Sequence, residues 1–581
     1  MTSGVDVAIA ALPLLLAGVL LVGLLWPATR AMPIAWVTAI GVGYFAWNMP
    51  VNWLAAASAA GFMTAIEILW IVFGALVLLY TLMEAGAFDR INRGFATVSD
   101  DRRVQIVLIG FFMATFIEGA AGFGTPAAVV APLLLGLGFP ALAAVVAGII
   151  GHIIAVTYGA VGTPIVVGIQ SPMESVEFTR TAIQEGGMTV QEFSVNVAAW
   201  AATYHALVGF VMPLFAVGMV VYFFGDPEER SLKPAWEVAP LCIASGIAFA
   251  VPYWLSAWFL TAEFPSLIGS MVGGTIILSI LRAGYLLPDD EWDFPEREKW
   301  EDHWVGSIEP GQSNGSNGSD SLEAEAADLE GGEDMTLFKA WSPYVLLVLL
   351  LVVTRAVDPI SNFINRDIFV VSWGEILGTS LSGAVAWMNV PGFWLLVSAV
   401  LAIPIFSMSG NEVSEAWKEA GRKIVSPFIA LVFVIAMVQV MLQSGAHPGA
   451  PEVGSMIVLL AQTTAGLLGA AYPAFASLIG ALGAAMAGSN TVSNITFGAF
   501  QFEAATQLGL PRTIIVGAQA VGGAIGNLVA IHNLVAALAT VGLLGQEGRV
   551  MRLNLIPLLY YASGVGILCL LFSYVLFPTV F

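Results

Sequence analysis

Phe116-Ile-Glu118-Gly-Ala-Ala-Gly122-Phe-Gly124-Thr125-Pro126 interrupts an apolar stretch that extends from about 104 to 137. Three glycines, an acid and a Thr-Pro pair in the middle of such a stretch predict two half-length arms joined at a tip, that is, a re-entrant hairpin. Irregular backbone at membrane depth is tolerated only where protein or a watery cavity surrounds it, so the break marks a site. Glycine lets the chain turn and approach a ligand closely. Threonine suits the N-cap and proline the first helical position. The second arm therefore aims free N–H groups and its positive dipole end at the tip, a place for a carboxylate. Gly162-Thr163-Pro164 repeats the device in the next apolar segment.

A second broken stretch, about 475–507, reads Gly488-Ser489-Asn490-Thr491-Val-Ser493-Asn494, with five hydrogen-bonding side chains in six positions. Such groups are costly in hydrocarbon unless they find partners. They can bind a carboxylate through donors or a dehydrated cation through oxygens, and interhelical bonding is the plain alternative. A shift of 371 residues lays Met113–Pro140 on Ala484–Pro511 without a gap, matching Thr125 with Thr496 and Leu-Gly-x-Pro at 137–140 with 508–511. The two hairpins thus belong to a repeat, and loop charges make it an inverted one. The same shift lays 84–103 on 455–474, which is expected to lie along the membrane interface.

Around these breaks the chain is 581 residues long, 58% hydrophobic and only 10% charged, against roughly 25% charged in soluble domains. Apolar stretches of about 20 residues, enough to cross roughly 30 Å of hydrocarbon, recur throughout. Twelve crossings are expected, near 8–26, 32–47, 62–83, 141–169, 198–223, 238–260, 264–282, 341–357, 393–408, 424–443, 511–543 and 554–578. The fold class is all-α and polytopic, about 12 transmembrane helices plus two re-entrant hairpins. Arg90, Arg93, Arg102 and Arg103, then Lys418, Arg422 and Lys423, then Arg549 and Arg552, assign the loops 84–103, 409–423 and 545–553 to the cytoplasm, and the acidic 170–197 loop to the outside. Residues 289–334 hold 16 acidic and 2 basic residues, two thirds of the net charge of −21. They read as a flexible cytoplasmic linker between a first membrane half, 1–288, and a second, 335–581. Nucleic acid is disfavoured as a partner; the lipid bilayer and a small molecule are expected, with a homodimer open.

Glu118 at a hairpin tip is a functional candidate by position. It carries a proton or accepts hydrogen bonds from the tip backbone; the residues alone leave both open. Glu67 reads as an interface residue near a helix start. His152, His205 and His532 have no metal-binding spacing, and His532 gains interest from its setting, Gly526-Asn527 to His532-Asn533, the repeat partner of the broken 148–164 segment. No HExxH, paired acids or nucleophile with its base is present, so an enzyme is not expected. Neither a metal nor a cofactor is expected, and Cys242 and Cys569 suggest no disulfide. The candidate binding residues are Glu118, Gly122, Gly124, Thr125, Thr163, Ser489, Asn490, Thr491, Ser493, Asn494, Asn527, His532 and Asn533.

With these motifs the chain resembles the lactate permease family over nearly its whole length except 289–334. The resemblance is strongest in Glu118-Gly-Ala-Ala-Gly-Phe-Gly124 with Pro126, and continues in Lys339-Ala-Trp-Ser-Pro343, Gly488-Ser489-x-Thr491-x-x-Asn494 and Val541-Gly-Leu-Leu-Gly545. It implies a cell-membrane secondary transporter that takes up L-lactate or glycolate with protons. The family typically has Asp where this chain has Asn490 and Lys where it has Asn527, so an acid and a base are lost together. Its Pro-Gln-Ser stretch is replaced by the surroundings of His532-Asn533. Ser489-Asn490-Thr491 is also similar to the tip motif of sodium-coupled dicarboxylate carriers. The alternatives are accordingly a sodium-coupled carrier of another organic acid, or a cation antiporter.

Overall fold

The computed structural model describes residues 4–308, 310 and 335–581, apart from 25, 97 and 123. Helices make up most of it, and the described strands form one antiparallel ribbon, Val371–Trp373 with Gly383–Val385. Among the described residues eleven helical segments are long and apolar enough to cross a membrane. A twelfth is the pair Arg512–Val529 and Ile531–Thr540, bent by 45°. The chain is an all-α, multi-pass membrane protein. The number agrees with expectation although its membership differs: hairpin arms Arg102–Ala120 and Met456–Ala487 qualify, while Ala28–Phe45 is not among the spans and Pro391–Phe406 is too short.

Apolar windows underestimate two helices. Val51–Glu84 and Gly410–Gln443 each run 34 residues, where 62–83 and 424–443 are expected. An alanine-rich stretch after Pro50 extends the first, and polar turns extend the second. Ser409 and Glu412 form a capping box that starts the second, and Lys418–Glu415 and Lys423–Glu419 pairs support its first turns. The expected 409–423 loop is therefore helical, and Ala87–Ala96 and Glu177–Glu185 place helices inside two other expected loops. Glu67 consequently lies mid-helix rather than near a start, and its Oε1 accepts from the Ala386 backbone N–H at 3.2 Å.

The two long helices pack along each other through Gly61, where a Cβ would strike the Ala436 backbone, and Gly74 meets the Gly392 carbonyl of Pro391–Phe406 in the same way. Small residues permit this close approach. Beside this layer lie both hairpins with Ala141–Gly151, Val190–Val208, Ala239–Phe259, Pro265–Arg282 and Arg512–Ile525. The 289–308 part of the acidic segment packs against it. Trp304 is buried, Arg102 binds Asp293 at 2.8 Å, the Asp290 carbonyl accepts from Arg103, and Ser307 N–H donates to the Gly542 carbonyl. Residues 311–334 lie outside the described residues.

Repeat-related exit turns carry left-handed Gly138 and Gly509, and the shift of 371 also pairs helices Ala87–Ala96 and Met456–Leu468. The tips themselves do not coincide. Gly122 and Gly124 would fall on Ser493 and Ile495, but the second turn is made at Gly488 and Ser489. Left-handed Gly488 ends one arm and the Ser489 hydroxyl caps the next at once. The second return arm, Asn490–Leu508, is therefore 19 residues against 12 in Thr125–Gly136.

Candidate functional site

Backbone that leaves the helical path inside a membrane must satisfy its polar groups by other means. In the first hairpin, left-handed Gly122 and Gly124 carry the chain across the tip, and the Thr125 hydroxyl donates to the Gly122 carbonyl at 2.7 Å. The next segment breaks similarly. Ala160, Val161 and Gly162 are all left-handed, and the Thr163 hydroxyl donates to the Ala160 carbonyl at 2.6 Å. Three such residues in succession, one of them β-branched, persist only where surroundings hold them. Those surroundings are on hand: Tyr253 and Ser266 hydroxyls donate to the Ile154 and Ala155 carbonyls, and Thr157 bonds to His205.

These breaks and the second tip share one small cavity of 20 Å³. The first hairpin contributes Glu118, Gly122 and Gly124; the second contributes Gly488, Ser489, Asn490 and Thr491. His152, Gly159 and Pro164 come from the first broken segment, Asn527 and Asn533 from the last. Eight of the thirteen sequence candidates thus line a common space. The Glu118 side chain is 4% exposed and makes no hydrogen bond or ion pair among the described residues, so the tip backbone does not use it as an acceptor. A Cβ at Gly159 would strike Glu118 Oε1, so a larger residue there must displace the carboxyl. His152 Nδ1 donates to the Gly148 carbonyl at 2.7 Å, which leaves Nε2 as an acceptor. Asn533 Nδ2 donates to Asn527 Oδ1 at 2.7 Å, whereas both amide atoms of buried Asn490 have no partner.

The other five candidates do not line the cavity. Thr125 and Thr163 close their own helix starts, and Ser493 donates to the Gly480 carbonyl at 2.7 Å. Asn494 Nδ2 donates to the Pro164 carbonyl at 3.0 Å, tying the second hairpin to the first broken segment. The His532 ring sits where a Cβ on Gly488 would be. His152, Val156, Gly159 and Pro164 line the cavity from outside the candidate set, and Pro164 directly follows Thr163, whose hydroxyl marks the break.

A second cavity of 1160 Å³ opens beside Pro164, reaching Ile165, Val166 and Val167. Its wall joins both packing layers. Arg355 spans them, donating from Nε to Glu263 Oε1 at 3.1 Å and from Nη1 and Nη2 to Asn389. Glu67, Glu174 and Arg180 also line it.

Compared with known proteins, residues 6–576 match the family model described as L-lactate permease. A Haemophilus influenzae relative is 27% identical, covering 92% of this chain and 92% of its own length. The L-lactate permease of Bacillus subtilis is 26% identical over 89% of this chain and 87% of its own, and the glycolate permease of Escherichia coli 25% identical over 98% and 96%. The solved Neisseria gonorrhoeae MtrF structure covers 89% of this chain and 83% of its own, with 13% identity and a TM-score of 0.41.

Proposed function

We propose, from the premise that the chain belongs to the L-lactate permease family, that it imports lactate or a related 2-hydroxy monocarboxylate such as glycolate by symport with a cation, a proton in the first place. The observation that carries this reading is the unpaired Glu118 carboxyl beside a cavity walled by amides, hydroxyls and helix N-termini. An ionised, unpartnered carboxylate so buried in a membrane is costly. A proton or a cation must neutralise it, and a substrate anion nearby strengthens that need. The donors for the substrate are those of the tips: Ser489, Asn490, Thr491 and the N–H groups that open Asn490–Leu508 and Thr125–Gly136. Gly122, Gly124, Asn527 and Asn533 complete the wall, with Ser493, Asn494, Thr125, Thr163 and His532 shaping it from behind.

The space at the site is small in the present conformation. A water needs about 10–15 Å³, so 20 Å³ holds one water or a bare cation and no three-carbon acid. On the orientation set by the basic loops, the 1160 Å³ cavity is the outer vestibule, parted from the site by the Pro164 turn and its bond to Asn494. Sodium is the second reading, supported by the neutral oxygens of Ser489, Asn490, Thr491 and Asn527, donors of the kind a hard cation takes. The test is uptake of labelled lactate by proteoliposomes with proton and sodium gradients imposed separately. Concentrative uptake driven by the proton gradient alone is expected. Uptake that follows only sodium replaces the ion, and no uptake of lactate or glycolate under either gradient overturns the substrate.

A further inference from the structure

Behind the second tip, on the side away from the cavity, five side chains from three helices form a hydrogen-bonded chain inside the apolar core. Tyr472 Oη donates to Gln501 Oε1 at 2.7 Å, and Gln501 Nε2 donates to Gln519 Oε1 at 3.0 Å. Gln519 Nε2 donates to Ser493 Oγ at 3.0 Å and lies 3.5 Å from Asn494 Oδ1. Gln501, Gln519, Ser493 and Asn494 are wholly buried. A satisfied network of this kind rigidifies what it joins.

Its polarity is fixed at both ends. Ser493 spends its only proton on the Gly480 carbonyl, so its oxygen is left to accept. Gln519 must then present its NH₂ to Ser493 and its carbonyl to Gln501, whose NH₂ also serves the Ala476 carbonyl. With the Gln519 NH₂ on the Asn494 oxygen, Asn494 in turn points its own NH₂ at Pro164. That carbonyl needs it. In an unbroken helix the Gly168 N–H would serve Pro164, but it bonds to the Thr163 carbonyl at 3.1 Å instead. One amide orientation, set by residue 519, thereby docks the second hairpin on the first broken segment at the cavity wall.

We propose that Gln519 is a positioning residue for the transport site, holding Ser493 and Asn494 so that the second tip closes against Pro164. The proposal rests on the lactate-transport reading for its kinetic test, and a chemical readout frees it from that dependence. A protonated Glu keeps the carbonyl on Gln501 and supplies one donor toward Ser493, while Leu supplies neither. In full-length chain in proteoliposomes, at pH 5 on both faces, Gln519→Leu is expected to raise KM for lactate exchange about tenfold. Gln519→Glu is expected to stay within about threefold of the parent. In parallel, a cysteine placed at Thr491 is labelled with a membrane-permeant maleimide; Gln519→Leu should speed its labelling, and Gln519→Glu should not. If Gln519→Leu fails to fold, Gln519→Met, which also lacks both hydrogen-bonding atoms, takes its place in both measurements. Unchanged KM and labelling in Gln519→Leu, or equal defects in the folded Leu and Glu variants, overturn the proposal. A parent that moves no lactate overturns the substrate reading only, since labelling still reports the tip.

Discussion

Asn490 and Asn527 stand where the family resemblance implies an acid and a base, and the structure sets both on the wall of the same 20 Å³ cavity. They meet across Gly523: a Cβ there would strike Asn490 Oδ1, and Asn527 Nδ2 donates to the Gly523 carbonyl at 3.0 Å. Asn490→Asp is isosteric, so its effect is one of charge. It puts a carboxylate on a side chain 3% exposed whose two polar atoms have no partner. Leaving one buried charge unpaired costs about 3–5 kcal/mol, or about two to three and a half orders of magnitude. Asn527→Lys adds the loss of bonds to the Gly523 and Ala524 carbonyls and of the acceptor for Asn533. The double variant brings the charges together, and a coupling of about 2–3 kcal/mol is expected, making it roughly 30- to 150-fold better than the product of the single losses. The assay is lactate counterflow at equal pH and matched protein, for parent, both singles and the double. Losses that simply multiply in the double would refute the facing-pair argument.

Glu118→Gln removes the titrating carboxyl with little change of shape, so concentrative uptake should vanish while exchange at equal lactate on both sides stays within about threefold of the parent. Normal accumulation by this variant would show that Glu118 does not carry the coupling ion. Gly159→Ala sets a methyl on Glu118 Oε1, and exchange should fall at least about tenfold. Combining it with Glu118→Ala should recover much of that loss of site geometry, read as labelling of a cysteine at Thr491; no recovery would place the clash elsewhere.

Much of this was legible because membranes punish irregularity. Gly122, Gly124 and Gly162 next to Thr-Pro had to mark breaks, and polar groups at 489–494 had to find partners, so the tips could be read from local chemistry. Which way each polar side chain faces was not. Thr125, Thr163, Ser493 and Asn494 carry the right chemistry for a ligand but serve the backbone, because each break leaves carbonyls that only a nearby hydroxyl or amide can reach. Gln501 and Gln519 show the converse failure. Each is a lone amide in an apolar helix, and their significance lies in a contact between residues 18 apart on different helices. The available signal was their presence in the two segments flanking the second tip's exit turn. Likewise, polar first turns hid the true length of Gly410–Gln443, since hydropathy reports burial in lipid and capping reports where a helix starts.

The closed cavity also bears on the order of events. A lactate anion entering against an inside-negative potential meets about 2.3 kcal/mol per 100 mV, and a single cation taken up with it removes that opposition. Glu118 sits where such a cation would be needed, in a space that admits one water-sized particle while both tips are closed. The larger substrate needs more room than this space offers, and among the described residues Asn494 Nδ2, donating to the Pro164 carbonyl, joins the second tip to the vestibule wall. Neutralising Glu118 is compatible with the closed geometry; binding the carboxylate is not. The proposed cycle therefore separates the two: the ion can be held with the site closed, and substrate binding draws on the free energy that opens the Pro164 turn toward the vestibule. A site arranged this way resists passing the anion alone, because an anion that opens the tips beside an unneutralised Glu118 meets a like charge at close range.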